Sequence, residues 1–390
     1  MSGPSLKIAI VAGEESGDLL GADLVRSLRE HRGELSLIGL GGPHLEAEGL
    51  KSLFDIHEIA IMGLSGVLRN LPNLMRRIAG TARAIVAAQP DCLVIIDSPD
   101  FTHRVARKVR EVAPSIPIVD YVCPSVWAWR PERAPAMRAY VDRVLAVLPF
   151  EAEALHRLGG PPTTYVGHRL TRYAPLLAAA ERRRHNAEIP EDPGRERRLL
   201  LLPGSRRSEI SRLMQPFGET IGILRDRGHR LHIVLPTPKR LEETVRAAAG
   251  SWPIQPRIVT GEDAKWEAFA QADVALAASG TVSLELALTG VPMVLCYKAD
   301  AFARRFLMPR ITIWTAALPN LIDDGPAVPE FFNEFVRPAM LARWLERLLD
   351  DGPQRQVQEQ AFARIAETMR TERPSGELAA EAVLSAISRD

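Results

Sequence analysis

The feature that most constrains this chain is an alternation. Short apolar runs, each ended by glycine or a polar turn, are followed by stretches with helical spacing, and after an interruption the alternation starts again. Residues 7–12, 35–40, 92–96, 116–122 and 144–148 read as buried strands; Gly13 stops the first, and Gly39, Gly41 and Gly42 mark the end of the second. Helical spacing follows at 18–31 and at 103–112. Strands alternating with helices predict parallel β-α-β units with right-handed crossovers, an α/β fold. Residues 178–187 are then rich in alanine and arginine, and 189–198 is charged and interrupted by Pro190 and Pro193. That change predicts a helix running into a linker. Strand-like runs resume at 199–202, 231–235, 274–277 and 293–296, and from Pro338 onward the pattern is helical throughout. The expectation is two domains, 1–170 and 171–364, with the final helices, about 365–390, packing back on the first. In such folds ligands bind at the carboxyl ends of the strands.

Composition narrows the function. A chain of 390 residues exceeds what one hydrophobic core usually serves. Its net charge of +1 supplies no global field to select nucleic acid, so no nucleic-acid partner is expected. Cys92, Cys123 and Cys296 lie far apart and form no C-x-x-C pair, which suits a reducing cytoplasm. The residues before Lys7 lack the basic and apolar regions of a signal peptide. No run reaches the roughly 18 apolar residues that span a bilayer, so any membrane contact is expected to be peripheral.

Chemistry concentrates in the loops after the strands. Gly13-Glu-Glu-Ser-Gly-Asp18 has neither dinucleotide nor P-loop glycine spacing. Its carboxylates, Glu14, Glu15 and Asp18, repel phosphate but suit sugar hydroxyls; a plain glycine turn with Asp18 as a helix cap is the other reading. In Asp97-Ser-Pro-Asp-Phe101, a carboxylate closing a buried strand is partly desolvated, which favours Asp97 as a base, although it also fits a turn acceptor. Cys123-Pro-Ser-Val-Trp-Ala-Trp-Arg130 offers Trp127, Trp129 and Arg130 to a sugar or acyl chain, or else fills a buried corner. In the second half, Leu202-Pro-Gly-Ser-Arg206 opens a helix, where backbone N–H groups and Arg206 make an anion site. Glu209 reads as a first-turn helix charge rather than a ligand. Ala278-Ser-Gly-Thr281 opens another helix carrying Glu285, whose carboxylate suits two ribose hydroxyls or is an ordinary first-turn charge. The first half thus carries hydroxyl-seeking loops and the second phosphate-seeking ones. No D-x-D pair occurs, so a metal-bridged diphosphate site has no evident ligands and no cofactor is expected. Apolar residues at 61, 64, 68, 71, 75 and 78, flanked by Arg69, Arg76 and Arg77, form a stripe that suits either the core or an anionic lipid surface.

Taken in order, these loops are similar to those of the lipid-A-disaccharide synthases, a family of inverting glycosyltransferases. The resemblance runs through Ala12 to Asp18, Gly41-Gly-Pro43, Met62-Gly-Leu64, Ile96 to Phe101, Pro124 to Arg130, Leu148-Pro-Phe-Glu151 and Val166-Gly-His168. It continues through Leu202 to Arg206, Ala278 to Thr281 with Glu285, Pro292-Met-Val294 and Leu318-Pro-Asn-Leu321. It implies a GT-B fold, two Rossmann-like α/β domains facing a central cleft, with no metal requirement. The implied substrates are UDP-2,3-diacylglucosamine and 2,3-diacylglucosamine 1-phosphate, joined as a β-1,6 disaccharide with release of UDP. The implied base is Asp97. UDP would be held by Gly204, Ser205, Arg206, Ser279, Gly280, Thr281, Glu285 and Asn320. The acceptor would be met by Gly13, Glu14, Glu15, Ser16, Gly17, Asp18, Trp127, Trp129 and Arg130. Acylated substrates imply a peripheral place on the cytoplasmic face of the bacterial inner membrane, through residues 61–78, and a homodimer is compatible. The chain departs from the family pattern at Thr102 (commonly Asn), at Gly66 (often acidic) and at Asp323-Asp-Gly325 (usually Ala-Gly-Arg). Another UDP-sugar enzyme of the same fold, or a UDP-sugar or lipid binder without catalysis, stays open on the residues alone.

Overall fold

The computed structural model describes residues 5–60, 67–187, 195–301 and 303–388. The chain forms two compact units, Met1–Arg169 with Thr371–Asp390, and Leu170–Arg370. The first is built on β1 (Leu6–Ala12), β2 (Leu35–Leu40), β3 (Cys92–Ile96), β4 (Ile118–Tyr121), β5 (Arg143–Ala146) and β6 (Thr163–Tyr165). These pair in the order β2-β1-β3-β4-β5-β6, every pairing parallel. Every residue of β3 and β4 is buried, because helices cover both faces of a parallel sheet. That is why they read as continuous apolar runs. Asp120, buried within β4, is the exception in kind. Gly39 sits at φ 136°, where an added Cβ would overlap the carbonyl of Ile10 on β1, so only glycine closes this strand pair. The helix Ser375–Ile387 lies along Glu15–Arg32, with Gly376 close to the Asp23 carbonyl.

The second unit carries β7 (Arg197–Leu202), β8 (Leu231–Pro236), β9 (Arg257–Val259), β10 (Val274–Ala278), β11 (Met293–Tyr297) and β12 (Glu330–Phe332). Their order is β12-β11-β10-β7-β8-β9, again parallel throughout. Its core gathers Leu199, Leu201, Phe217, Ile221, Leu276, Val294 and Leu345, all at most 2 % exposed.

Three strands go beyond the sequence expectation. β6, β9 and β12 are three-residue edges of sequence TTY, RIV and EFF, mostly half-buried, too short to make an apolar run. The helix expected at 103–112 begins earlier, at Pro99, where proline's fixed φ and missing N–H suit the first turn. Of the apolar stripe at 61–78, residues 61–66 lie outside the described residues. Its far end belongs to the helix Val67–Ala88, whose Ile78 is fully buried in the first core while Met75 is 40 % exposed. Arg77 is held by both oxygens of Glu58 and stacks over Phe54. Among the described residues no helix is long and apolar enough to cross a membrane.

Candidate active site

At the end of β3 the chain turns sharply. Asp97 and Ser98 both adopt left-handed backbone angles, φ 57° and 47°. Two consecutive residues there cost on the order of 1 kcal/mol each, so the surroundings must hold them. Thr102 does so, its hydroxyl donating to the carbonyls of Asp97 (2.7 Å) and Ser98 (3.1 Å). The threonine that departs from the family pattern is thus the residue that pins this turn. The Asp97 carboxylate, half-buried, accepts from the Ser98 N–H at 2.8 Å and from the Ser16 hydroxyl at 2.9 Å.

The loop after β1 leans directly on this turn. A Cβ on Gly13 would overlap the Ser98 side chain, and one on Gly17 would lie 3.2 Å from the Ile96 carbonyl and 3.5 Å from Asp97 Cβ. Both glycines are close-approach residues that let Ser16 reach Asp97. Glu14 accepts from the Ser98 hydroxyl at 3.2 Å, and Glu15 stands exposed in the first helical turn. Asp18 has a different place from the open, sugar-facing carboxylate expected of it. It is fully buried and accepts from the N–H groups of Gly42 (2.7 Å), His44 (2.9 Å) and Leu45 (3.0 Å). Its carboxylate caps the short helix Pro43–Ala47, which explains why the Gly41-Gly-Pro43 motif accompanies it.

The two tryptophans also separate. Trp127 turns inward, donating to Glu151 at 3.2 Å and meeting Phe150 edge-on at 4.9 Å. It is the buried-corner alternative. Glu151, 2 % exposed, also accepts from the N–H groups of Val147 and Leu148; burial outweighs these donors and pushes its carboxyl up to about 7. Trp129 instead lines a small cavity of about 180 Å3 beside Asp97, with Arg130 over its ring at 4.3 Å. His103, Asp120 and Cys123 share that cavity, and burial raises the Cys123 thiol far above its ordinary value, leaving it an inert S–H. His103 Nε2 faces the Asp120 carboxylate at 3.1 Å. Neither residue was singled out from sequence. The available signal was an aspartate inside an otherwise apolar strand.

In the second unit a cavity of about 630 Å3 brings together the loops after β7, β8, β9 and β10. Gly204, Ser205, Arg206, Ser279, Gly280, Thr281 and Glu285 all line it. The two helix starts within it differ. At the first, Glu209 folds back to accept from the N–H groups of Ser205 (2.9 Å) and Arg206 (3.2 Å), with Arg206 Nη1 at 3.3 Å. A carboxylate of the chain therefore occupies the donors that sequence offered to a phosphate. At the second, no acceptor among the described residues reaches the N–H groups of Gly280, Thr281 and Val282. Three adjacent donors at a helix N-terminus make an anion site. Lys265, which no motif pointed to, adds an ammonium 3.0 Å from Glu285. The Thr237 hydroxyl lines the same cavity, buried and without a hydrogen-bond partner.

Asn320 lies elsewhere. It is 2 % exposed, and its amide donates to Val328 C=O (2.9 Å) and Thr315 Oγ1 (3.3 Å) while accepting from Val328 N–H (2.8 Å). Both polar atoms of its side chain are engaged in clasping one loop, which gives Asn320 a structural part beside the UDP contact expected of it.

The family model for lipid-A-disaccharide synthetase matches residues 8–383. The chain belongs to that family. It is 50% identical to the lipid-A-disaccharide synthase of Nitrobacter winogradskyi, covering 98% of this chain and 96% of that one. It is 46% identical to that of Bradyrhizobium diazoefficiens (99% and 98% covered) and 40% to that of Rhodospirillum centenum (98% and 95%). Solved structures agree on the fold alone. The UDP-GlcNAc 2-epimerase of Neisseria meningitidis superposes with a TM-score of 0.61 at 12% identity, covering 99% and 100% of the chains. MurG of Acinetobacter baumannii gives 0.58 at 13%, covering 98% and 100%. The architecture is the GT-B glycosyltransferase fold, and the chain is a glycosyltransferase of the lipid-A-disaccharide synthase family. Its departure at Asp323 has a local account: this carboxylate grips Arg364 through both oxygens (2.6 and 2.7 Å), tying the Leu318–Asp323 helix to Pro353–Thr368.

Proposed function

We propose that the protein transfers 2,3-diacylglucosamine from UDP-2,3-diacylglucosamine to the 6-hydroxyl of 2,3-diacylglucosamine 1-phosphate, with Asp97 as general base. The carboxylate takes the hydroxyl proton as that oxygen attacks the anomeric carbon opposite UDP. The bond to the diphosphate breaks, UDP departs with the electron pair, and a single displacement inverts the α-linked donor to a β-1,6 disaccharide 1-phosphate. The observation that carries this reading is the Asp97 turn: a strained carboxylate, oriented by Ser16 and Ser98, beside a cavity walled by Trp129. Ser16, Glu14 and Glu15 then belong to the acceptor side, and Asp18 and Trp127 act by positioning their loops.

On the donor side, the diphosphate is best matched by the free N–H groups of Gly280, Thr281 and Val282, with Lys265 and Arg206 completing its charge. Glu285, paired to Lys265, is placed for the ribose hydroxyls. This assigns acceptor binding to the first unit and donor binding to the second. The acyl chains of both substrates favour work at the cytoplasmic face of the inner membrane. The test is UDP release from UDP-2,3-diacylglucosamine in detergent micelles, with and without acceptor, and NMR of the product's new glycosidic linkage. Acceptor-dependent release with a β linkage is expected. Release without acceptor, or an α linkage, would overturn the mechanism.

A further inference from the structure

A second cavity adjoins the Asp97 pocket and differs from it in charge. It holds about 280 Å3 and shares Pro99, His103 and Pro124 with the pocket that contains Asp97. Four cations line it, Arg104, Arg107, Lys108 and Arg133, against two carboxylates, Asp100 and Glu111. Arg104, Arg107 and Lys108 recur at helical spacing on one face of Pro99–Val112, and Arg133 approaches from the next segment, 3.6 Å from Asp100. An exposed basic helix face alone would be unremarkable. Here the face closes a concave site, and one of its cations, itself exposed, is braced against a buried tyrosine.

Arg107 donates to the Tyr140 hydroxyl at 3.1 Å and stacks over the Tyr140 ring at 4.5 Å. Tyr140 is 5 % exposed, and its hydroxyl lies 3.0 Å from His103 Nδ1. His103 Nε2 in turn faces Asp120 at 3.1 Å. A carboxylate at Nε2 favours the proton there, which leaves Nδ1 to accept from the Tyr140 O–H. Tyr140 then accepts from Arg107. The chain Asp120–His103–Tyr140–Arg107 runs from the buried sheet to the cavity wall and fixes the guanidinium before any ligand arrives. Such a fixed fork, among flexible ammonium and guanidinium neighbours, suits a phosphate dianion.

We propose that this cavity binds the 1-phosphate of the acceptor, with Arg107 as its fixed anchor. The assignment rests on the transferase reading above and deepens it. In the acceptor sugar, C1 and C5 flank the ring oxygen and C6 hangs from C5, so the 1-phosphate and the attacking 6-hydroxyl lie along one edge of the ring. Two adjoining cavities, one cationic and one holding the base, match that edge. The site selects a phosphorylated acceptor over the same sugar without phosphate. It also orients the 6-hydroxyl toward Asp97.

The experiment compares kcat/KM for 2,3-diacylglucosamine 1-phosphate and for dephosphorylated 2,3-diacylglucosamine in wild type, Arg107→Gln and Arg107→Lys. Hydrogen bonds to charged groups are worth about 1.5–3 kcal/mol, so Arg107→Gln should cut the preference for the phosphorylated acceptor by roughly 10- to 100-fold. The donor KM should stay within about twofold, and Arg107→Lys should recover part of the preference by restoring charge. An unchanged preference overturns the proposal. So does a loss confined to flotation with vesicles containing phosphatidylglycerol, which would assign the cations to a lipid headgroup. Should wild type show no acceptor-dependent UDP release, the transferase reading fails on its own. Calorimetry with glucosamine 1-phosphate then decides this site: binding lost in Arg107→Gln keeps it, and no binding to wild type removes it.

Discussion

After β1 the chain passes through Gly13 into a helix, and after β10 it passes through Gly280 into another, yet the two turns present opposite atoms. The Gly13 turn is crowded: its missing Cβ makes room for Ser98, and around it oxygen atoms of Ser16, Ser98 and Glu14 gather on one carboxylate or each other. The Gly280 turn is open. Nothing lies within 4 Å of where its Cβ would be, and the N–H groups beyond it have no acceptor among the described residues. One glycine lets the protein pack against itself and hold Asp97, the proposed base, in a strained backbone. The other keeps protein away and leaves the donors open to the proposed diphosphate. The same residue in the same strand-turn-helix context thus serves packing in one unit and, on the proposed reading, recognition in the other.

Breaking the crowded side should cost most. Gly13→Ala forces Ser98 and Asp97 to move; overpacking of this kind typically costs 1–3 kcal/mol, and a misplacement of about 1 Å at a reacting group costs roughly 100-fold in turnover. Thermal melting and kcat are expected to fall together. A variant with normal turnover would show that the Gly13–Ser98 contact does not position the base.

The open side should respond in binding instead. Lys265→Met removes the ammonium beside Glu285 and leaves that carboxylate facing the proposed diphosphate site. The donor KM is expected to rise roughly 10-fold or more, with acceptor KM unchanged, given about 1.5 kcal/mol or more for a charged hydrogen bond. A rise in acceptor KM alone would reverse the assignment of the two units.

A smaller effect concerns the buried Glu151 of the first unit. Burial holds Glu151 at about 7 in the folded protein against an ordinary 4.5. Its ionisation is therefore disfavoured by folding: the stability is fully present below about 4.5 and is lost as pH rises toward 7. The shift caps this loss at roughly 3 kcal/mol. Chemical denaturation between pH 4.5 and 7 should show that decline in wild type and a flatter profile in Glu151→Gln. Equal slopes would mean that Glu151 does not titrate in this range.

Much of this was legible in the amino-acid order. Buried parallel strands such as Cys92–Ile96 announce themselves as apolar runs because both faces are covered, and the loops that follow them carry the chemistry. The edge strands β6, β9 and β12 did not, since three half-buried residues have no pattern to show. Within the loops, residue type was readable but direction was not. Asp18 and Asp97 both follow strands, yet one is consumed by three N–H groups and the other by a serine near a cavity. Trp127 and Trp129 stand two residues apart and face different surroundings. Glu209 turned out to fill the very donors its neighbours offered, and Asn320 spends its amide on Val328 and Thr315. His103 and Asp120 come from a helix and a strand that only the fold makes adjacent.

The central claim is that the crowded turn exists to present Asp97 as a base, apart from donor binding. Asp97→Asn keeps the size and most hydrogen bonds of the side chain while removing its capacity to take a proton. Single-turnover transfer and UDP-sugar affinity, measured on the same preparation, test the claim most directly. The account predicts that affinity stays within about twofold while transfer falls by roughly 10²- to 10⁴-fold, the usual range for a lost general base. Transfer reduced less than tenfold, or lost only in step with donor affinity, would contradict it.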